Sequence, residues 1–340
     1  MGPKAVALGG GHGLYATLSA LRLLTDAVTA VVTVADDGGS SGRLRGELGV
    51  LPPGDLRMAL AALADGGPSG VRWGRLFQHR FGGTGALAGH AVGNLLLAGL
   101  IEVLGDPVAA LDEACTLLGV RGRVLPMSAE ALVIEAEVTG LGKDPDTISR
   151  IRGQVAVAST PGRVRRVWLH PSRPRACQQA AEAIRAAEVV LLGPGSWFTS
   201  VLPHLLVPGL REALLDTPAR RVVVLNLAPQ PGETAGFSPE QHLDVLCQHA
   251  PELRIDAVLA DTHAVPVAER LQHSAAALGA RAVLAPIGEP DGSPRHNPGA
   301  LADAVRSVLT ELDRRDGERA RQRDTGARSP SGREEKTRWL

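Results

Sequence analysis

The run Val6-Ala7-Leu8-Gly9-Gly10-Gly11-His12-Gly13-Leu14 limits what this chain can fold into more than any other. A short apolar strand enters a glycine turn, and Leu14, Leu18 and Leu21 then recur at helical spacing. A strand that turns through glycine onto a helix N-terminus gathers backbone N–H groups, and the helix dipole adds positive potential, so the turn suits an anion. Three consecutive glycines are costly in chain entropy unless a ligand or another backbone approaches closely. A plain tight strand-to-helix turn is the simpler alternative. The spacing falls short of G-x-G-x-x-G, because Leu14 stands where the last glycine would be, and no Gly-Lys-Ser/Thr follows, which argues against a P-loop ATPase.

The strand expected over Val28 to Val34 runs into Ala35-Asp36-Asp37-Gly38-Gly39-Ser40-Ser41-Gly42-Arg43. Open α/β sheets bind ligands at strand C-termini, where paired acids can hold a ribose or a metal ion. Either acid alone also suits a turn cap. Ser40 and Ser41 add hydroxyl donors for a phosphate. Asp55, in Leu51-Pro52-Pro53-Gly54-Asp55, stands at a helix start, where capping competes with a metal or substrate role. Asn94, in Gly89-His90-Ala91-Val92-Gly93-Asn94, sits among leucines and needs polar partners or a ligand.

A second strand, Val189 to Leu192, repeats the pattern with Gly193-Pro194-Gly195-Ser196 and a helix expected after it. Two anion sites in one sheet would suit a diphosphate. Buried strands are expected at Val222 to Leu225, Ala257 to Leu259 and Ala282 to Leu284, and the segment 53–125 reads as mostly helical. The fold class is therefore α/β: a Rossmann-like, mostly parallel sheet with helices on both faces. Short strands at Leu132 to Val138, Val155 to Ala158 and Val164 to Leu169 form a small antiparallel excursion around 129–169. The loop from Asn226 to Thr234, with Gln230, is placed to read a base or sugar edge, and Arg295 to clamp a phosphate with its guanidinium fork.

Formal net charge is zero across 340 residues, so no bulk attraction to nucleic acid is indicated. No run of about 18 apolar residues appears, so membrane insertion is not expected. Met1-Gly2-Pro3-Lys4 passes straight into a strand, so no leader is expected, and three dispersed cysteines lack metal-ligand spacing; both point to the cytoplasm. From Asp313 to Leu340 the chain is charged and nearly free of apolar residues, and a disordered tail is expected.

These motifs, with Gln230-Pro231-Gly232-Glu233-Thr234, occur here in the order found in the YvcK-type gluconeogenesis factors, which the chain closely resembles over roughly residues 4 to 310. That family is related to CofD, the 2-phospho-L-lactate transferase of coenzyme F420 synthesis. The resemblance implies one nucleotide-binding domain, 1–312, followed by the charged tail, 313–340. It implies a nucleotide sugar as small-molecule partner, typically UDP-N-acetylglucosamine, and support of cell shape and cell-wall supply during gluconeogenic growth. Homo-oligomers are compatible with it. The nucleotide site would comprise Gly9, Gly10, Gly11, His12, Gly13, Asp36, Asp37, Ser40, Ser41, Asn94, Gly193, Pro194, Gly195, Ser196, Asn226, Gln230 and Arg295. The alternative is a CofD-type transferase, with Mg2+ held by Asp36, Asp37 and Asp55. A redox dinucleotide enzyme is the weakest reading, because the glycine spacing is imperfect. His12 replaces a threonine, Met58 an asparagine and Trp197-Phe198 a Leu-Tyr pair, which leaves Tyr15 as the sole tyrosine.

Overall fold

The computed structural model describes residues 2–326. Among the described residues ten strands form two sheets. β1 (Ala5–Gly9), β2 (Val28–Val32), β3 (Arg123–Pro126), β7 (Val189–Leu192), β8 (Arg220–Val224), β9 (Ala257–Asp261) and β10 (Arg281–Ala285) make a wholly parallel sheet in the order β10-β9-β8-β7-β1-β2-β3. β4 (Val133–Thr139), β5 (Ser149–Arg152) and β6 (Arg163–His170) make an antiparallel sheet in the order β5-β4-β6. The α/β class and the antiparallel excursion therefore stand as expected. β3, short and with a charged first residue, was not legible in the sequence.

Every residue of β1, β7 and β9 is buried, as both faces of a covered parallel sheet require. On one face lie α1 (Gly11–Leu21), α2 (Gly39–Leu48), α3 (Pro53–Leu63), α4 (Pro68–Gln78), α5 (Val92–Leu104) and α6 (Pro107–Leu118), together with helix Pro298–Gly326 against α1. Right-handed crossovers put the helices of the second half, such as Pro208–Asp216 and Pro239–His249, on the other face. The chain runs outward from β1 to β2 and, later, the opposite way from β7 to β8. The gap between β1 and β7 is thus the topological switch point, where sheets of this kind open a crevice at their carboxyl ends.

Three local expectations change. Val155 to Ala158 is not a strand but part of the short helix α7 (Gln154–Ala158). Gly153, at φ 102°, turns the chain out of β5, and the Asp37 carboxylate accepts from Val155 N at 2.9 Å. The segment after Gly193-Pro194-Gly195 is a π turn, Trp197–Val201, running into a 3-10 turn, Leu202–Leu206, rather than an α-helix. The expected tail begins inside a helix, since Pro298–Gly326 continues past Asp313. Ion pairs of Arg314 and Arg315 with Glu311, and of Arg220 with Asp313 and Asp316, supply on a solvated helix what apolar burial does not. Residues 327–340 of the expected tail lie outside the described residues.

The glycine pattern is explained by contact. A Cβ on Gly13 would sit 2.2 Å from Pro194 O and 2.6 Å from Gly195 Cα, so α1 lies directly on the second glycine turn. Thr17 Oγ1 then donates to Gly193 O at 3.0 Å. Gly13→Ala is expected to lower unfolding stability by about 1–3 kcal/mol, since backbone must move to admit the methyl. Gly46→Ala, on the exposed face of α2 where a Cβ meets nothing, is expected to raise it by about 0.5–1 kcal/mol. Urea unfolding of the two variants checks both signs.

Candidate functional site

A cleft of about 540 Å³ opens at the switch point. Its floor is His12, Gly13 and Tyr15 of the first turn and helix with Pro194 and Gly195 of the second turn. One wall is the run Asn226 to Pro231 after β8, and the other is the Glu289–His296 loop after β10. Seven residues expected at the site therefore meet here: His12, Gly13, Pro194, Gly195, Asn226, Gln230 and Arg295.

Asn226 fixes the second turn. Its Oδ1 accepts from Gly195 N and its Nδ2 donates to Gly195 O, both at 2.8 Å. Gly195 has φ 139° and packs near Gly10 O, so glycine serves both conformation and approach. Gln230 N donates to Thr234 Oγ1 at 2.8 Å, while its side-chain Oε1 is buried without a partner. Arg295 lines the cleft, but its guanidinium bonds Ser293 Oγ and Asp291 Oδ2 in its own exposed loop.

The other expected residues form a framework behind the floor. Asp36 Oδ1 accepts from Gly38 N, closing the turn that starts α2. Ser41 Oγ accepts from Gly54 N at 2.9 Å, and a Cβ on Gly54 would meet Ser41 Oγ at 2.4 Å and Asp36 Oδ2 at 2.9 Å. Ser40 does not point to a ligand. Arg57 Nε donates to Asn94 Oδ1, Asn94 Nδ2 donates to Ser40 Oγ, and Ser40 Oγ lies 2.9 Å from His90 Nδ1. Ser40 accepts from Asn94, and the imidazole tautomer sets the direction of its bond with His90. The Asn94 amide among leucines thus finds partners inside the protein. Burial is the main reason the Arg57 guanidinium falls to about 10.

Asp55 occupies the first glycine turn itself. A Cβ on Gly10 would lie 2.4 Å from Asp55 Oδ2 and 2.6 Å from Thr33 Cγ2. The carboxylate sits where the α1 N-terminus was expected to receive a phosphate. Burial, then the nearby Asp36 charge, push its pKa up from 3.8 to about 7, against the pull of the Gly11 N–H and Arg57. Its Oδ2 and the Thr33 hydroxyl have no partner.

Glu233 plays the corresponding part at the second turn. It is 2 % exposed. Its Oε1 accepts from Ser196 Oγ and Trp197 N, both at 2.7 Å, while Oε2 has no partner. Ser196 also meets Thr199 Oγ1, so its hydroxyl is committed within the protein. Burial raises the Glu233 carboxyl from 4.5 to about 7.

The expected metal set does not assemble. Among the described residues no three His, Cys, Asp or Glu side chains form a group that could hold a metal ion. Asp37 is engaged elsewhere: its Oδ1 accepts from Val155 N, and its Oδ2 lies against Gly153, 2.2 Å from where a Cβ would be. Asp36 and Asp55 remain as a pair, without a third ligand among the described residues. The residues present thus do not fit a magnesium ion held by the protein alone.

A family model described as 2-phospho-L-lactate transferase CofD matches residues 5–284. The chain belongs to this family. Within it the chain is similar to the gluconeogenesis factors. It is 60 % identical over 328 residues to a "Putative gluconeogenesis factor" of Mycobacterium tuberculosis, covering 96 % of this chain and 92 % of the relative. A "Gluconeogenesis factor" of Halalkalibacterium halodurans is 40 % identical over 269 residues, covering 79 % of this chain and 80 % of the relative. A crystal structure of a UPF0052 family member from Bacillus halodurans superposes with a TM-score of 0.79 at 35 % identity, over 91 % of this chain and 99 % of that one.

The site residues that sequence reasoning missed are Glu233 as a buried acid, Thr33 beside Gly10, and the cleft-lining Tyr15, Glu289 and His296. Glu233 stood inside a quoted motif. Only its depth could have singled it out, and depth is not a sequence property.

Asp55 carries a raised carboxyl, so the folded state holds a proton that the unfolded chain has released between roughly pH 4 and 7. Stability should fall as pH rises through that window. Asp55→Asn should remove a few kcal/mol of that fall and make the variant more stable than wild type at pH 8. Urea unfolding at pH 5 and pH 8 measures it. Asn94→Ala should cost about 2–3 kcal/mol at either pH, because Arg57 and Ser40 lose partners while buried.

Proposed function

We propose that this chain binds a nucleotide sugar of the UDP-N-acetylglucosamine class in the switch-point cleft, as a cytoplasmic regulator of cell-wall supply during gluconeogenic growth. The observation that carries the reading is the convergence of the two glycine turns on one cleft, with Gly13 against Pro194 and Gly195 and both turns lining the same opening. A cleft at the carboxyl ends of β1 and β7 is where a diphosphate-linked ligand is held in folds of this topology.

The cleft suits a nucleoside diphosphate carrying a polar group. His12, Gly13 and Gly195 are at the floor, and the small or apolar residues Ala16, Leu227, Pro229 and Pro231 offer surface for a flat ring. Gln230, Glu289 and Arg295 supply polar edges for base or sugar. The framework residues Asp36, Asp37, Ser40, Ser41 and Asn94 act by shaping this floor, not by touching ligand. The relatives' names support the gluconeogenic role.

A second reading, transfer of a phosphorylated group as in the CofD enzymes, draws on the family model and on the two carboxyls of Asp55 and Glu233 raised to about 7 beside the turns. It is the lesser reading, since the named relatives are gluconeogenesis factors.

Isothermal calorimetry and thermal shift with UDP-N-acetylglucosamine test the first reading. Ligand at 100 times its dissociation constant should stabilise the protein by about 2.7 kcal/mol. No heat and no shift at millimolar ligand would remove it. Turnover of a phospholactyl-guanosine donor with a deazaflavin acceptor would establish the second.

A further inference from the structure

The run Gln230-Pro231-Gly232-Glu233-Thr234 is held at three points, each by a different residue. Thr234 Oγ1 accepts from Gln230 N at 2.8 Å and closes the loop on itself. Gly232, at φ 90°, lies against α7: a Cβ there would be 2.2 Å from Ala158 O. Glu233 reaches across to Ser196 and Trp197 N, just beyond the second glycine turn. α7 is itself pinned by Asp37 through Val155 N. A continuous set of contacts therefore joins the acidic loop after β2, the small antiparallel sheet, the cleft wall and the second glycine turn.

Glu233 is the one charged group in this set that is fully enclosed. Around it stand Ser196 and Thr199, the N–H groups of Trp197 and Phe198, and, beyond the Trp197 ring at 5.3 Å, the His242 imidazole. Helix Pro239–His249 contributes His242, whose Nε2 has no partner, and α7 meets the loop through backbone. The carboxyl faces the back of the turn, and it is absent from the cleft lining, which includes Gln230 and Pro231 from the same loop. An acid placed this way acts on the cleft through the loop it holds, and its removal would free the wall that carries Gln230.

We propose that Glu233 is a positioning residue: it latches the Gln230–Thr234 loop to the second glycine turn and so sets the width of the cleft and its affinity for the nucleotide sugar. This deepens the proposed function and rests on it for the identity of the ligand. The latch should loosen as the carboxyl ionises, because the charged form would be buried with one oxygen unpaired. The neutral form keeps the bonds that Oε1 accepts without burying a charge, so the closed wall is the low-pH arrangement.

The test pairs amide hydrogen exchange of the unliganded protein with calorimetric titration of UDP-N-acetylglucosamine, for wild type, Glu233→Gln and Glu233→Ala, from pH 6 to 8.5. After correction for intrinsic exchange, protection of the loop amides and of Trp197 N should fall about tenfold across that range in wild type. It should stay level in Glu233→Gln, which keeps an accepting oxygen without the charge, and be low throughout in Glu233→Ala. Affinity should follow protection, with Glu233→Ala weaker by about tenfold or more and Glu233→Gln near wild type at pH 6. Equal protection in wild type and Glu233→Ala, or lost protection with unchanged affinity, overturns the proposal. Should Glu233→Ala not fold, the pH profiles of wild type and Glu233→Gln decide alone: parallel profiles overturn it. If wild type binds no UDP-N-acetylglucosamine, the proposed function fails, and the exchange data still judge the latch.

Discussion

The close approach of two backbones is the contact on which the rest of this molecule depends. Gly13 in the first turn of α1 lies on Pro194 and Gly195, with no room for a side chain between them. That contact joins the two halves of the sheet at the point where strand order reverses. Thr17 and Asn226 reinforce it from either side with hydrogen bonds to Gly193 and Gly195. The cleft exists because the turns touch at their bases and diverge above.

Around this contact the chain supplies its own anions. Asp55 fills the first glycine turn and Glu233 backs the second, and burial holds both carboxyls near neutrality in pH. A helix N-terminus or a row of turn amides attracts negative charge whatever its source. Here internal carboxyls take some of those amides, and Gly13 and Gly195 still line the cleft. The buried chain from Arg57 through Asn94 and Ser40 to His90 has a comparable structural office. It holds α2, α3 and α5 in register with polar groups whose partners are all within the protein.

The motifs are therefore best understood as packing solutions at the edge of the cleft. Gly54 admits Ser41 and Asp36, Gly42 admits the Asp37 carbonyl, Gly93 admits Phe77 and Arg57, and Gly232 admits Ala158. Each glycine marks a place where two segments must nearly coincide: the first three pairs fold the long stretch after β2 on itself, and Gly232 brings the segment after β8 onto the one after β5. Asp37, which reads as a ligand in the sequence, is spent on α7. Among the described residues the Asp36, Asp37 and Asp55 set expected for a metal does not group.

The sequence by itself determined the strand-and-helix alternation, the parallel central sheet, the antiparallel excursion and the position of both glycine turns. Those features follow from local periodicity and from the conformations open to glycine, which are written in neighbouring residues. It did not reveal β3, whose four residues are too few and too mixed to show a period, nor the helix at 154–158, which depends on a carboxylate 118 positions away. Which polar residues face the cleft and which are sealed behind it was decided only by the tertiary structure. Ser40, Asn94 and Glu233 look no different in sequence from Asn226 and Gln230. Their roles diverge because burial is set by segments far along the chain, and a hydrogen bond to a distant backbone leaves no mark on the residue that makes it.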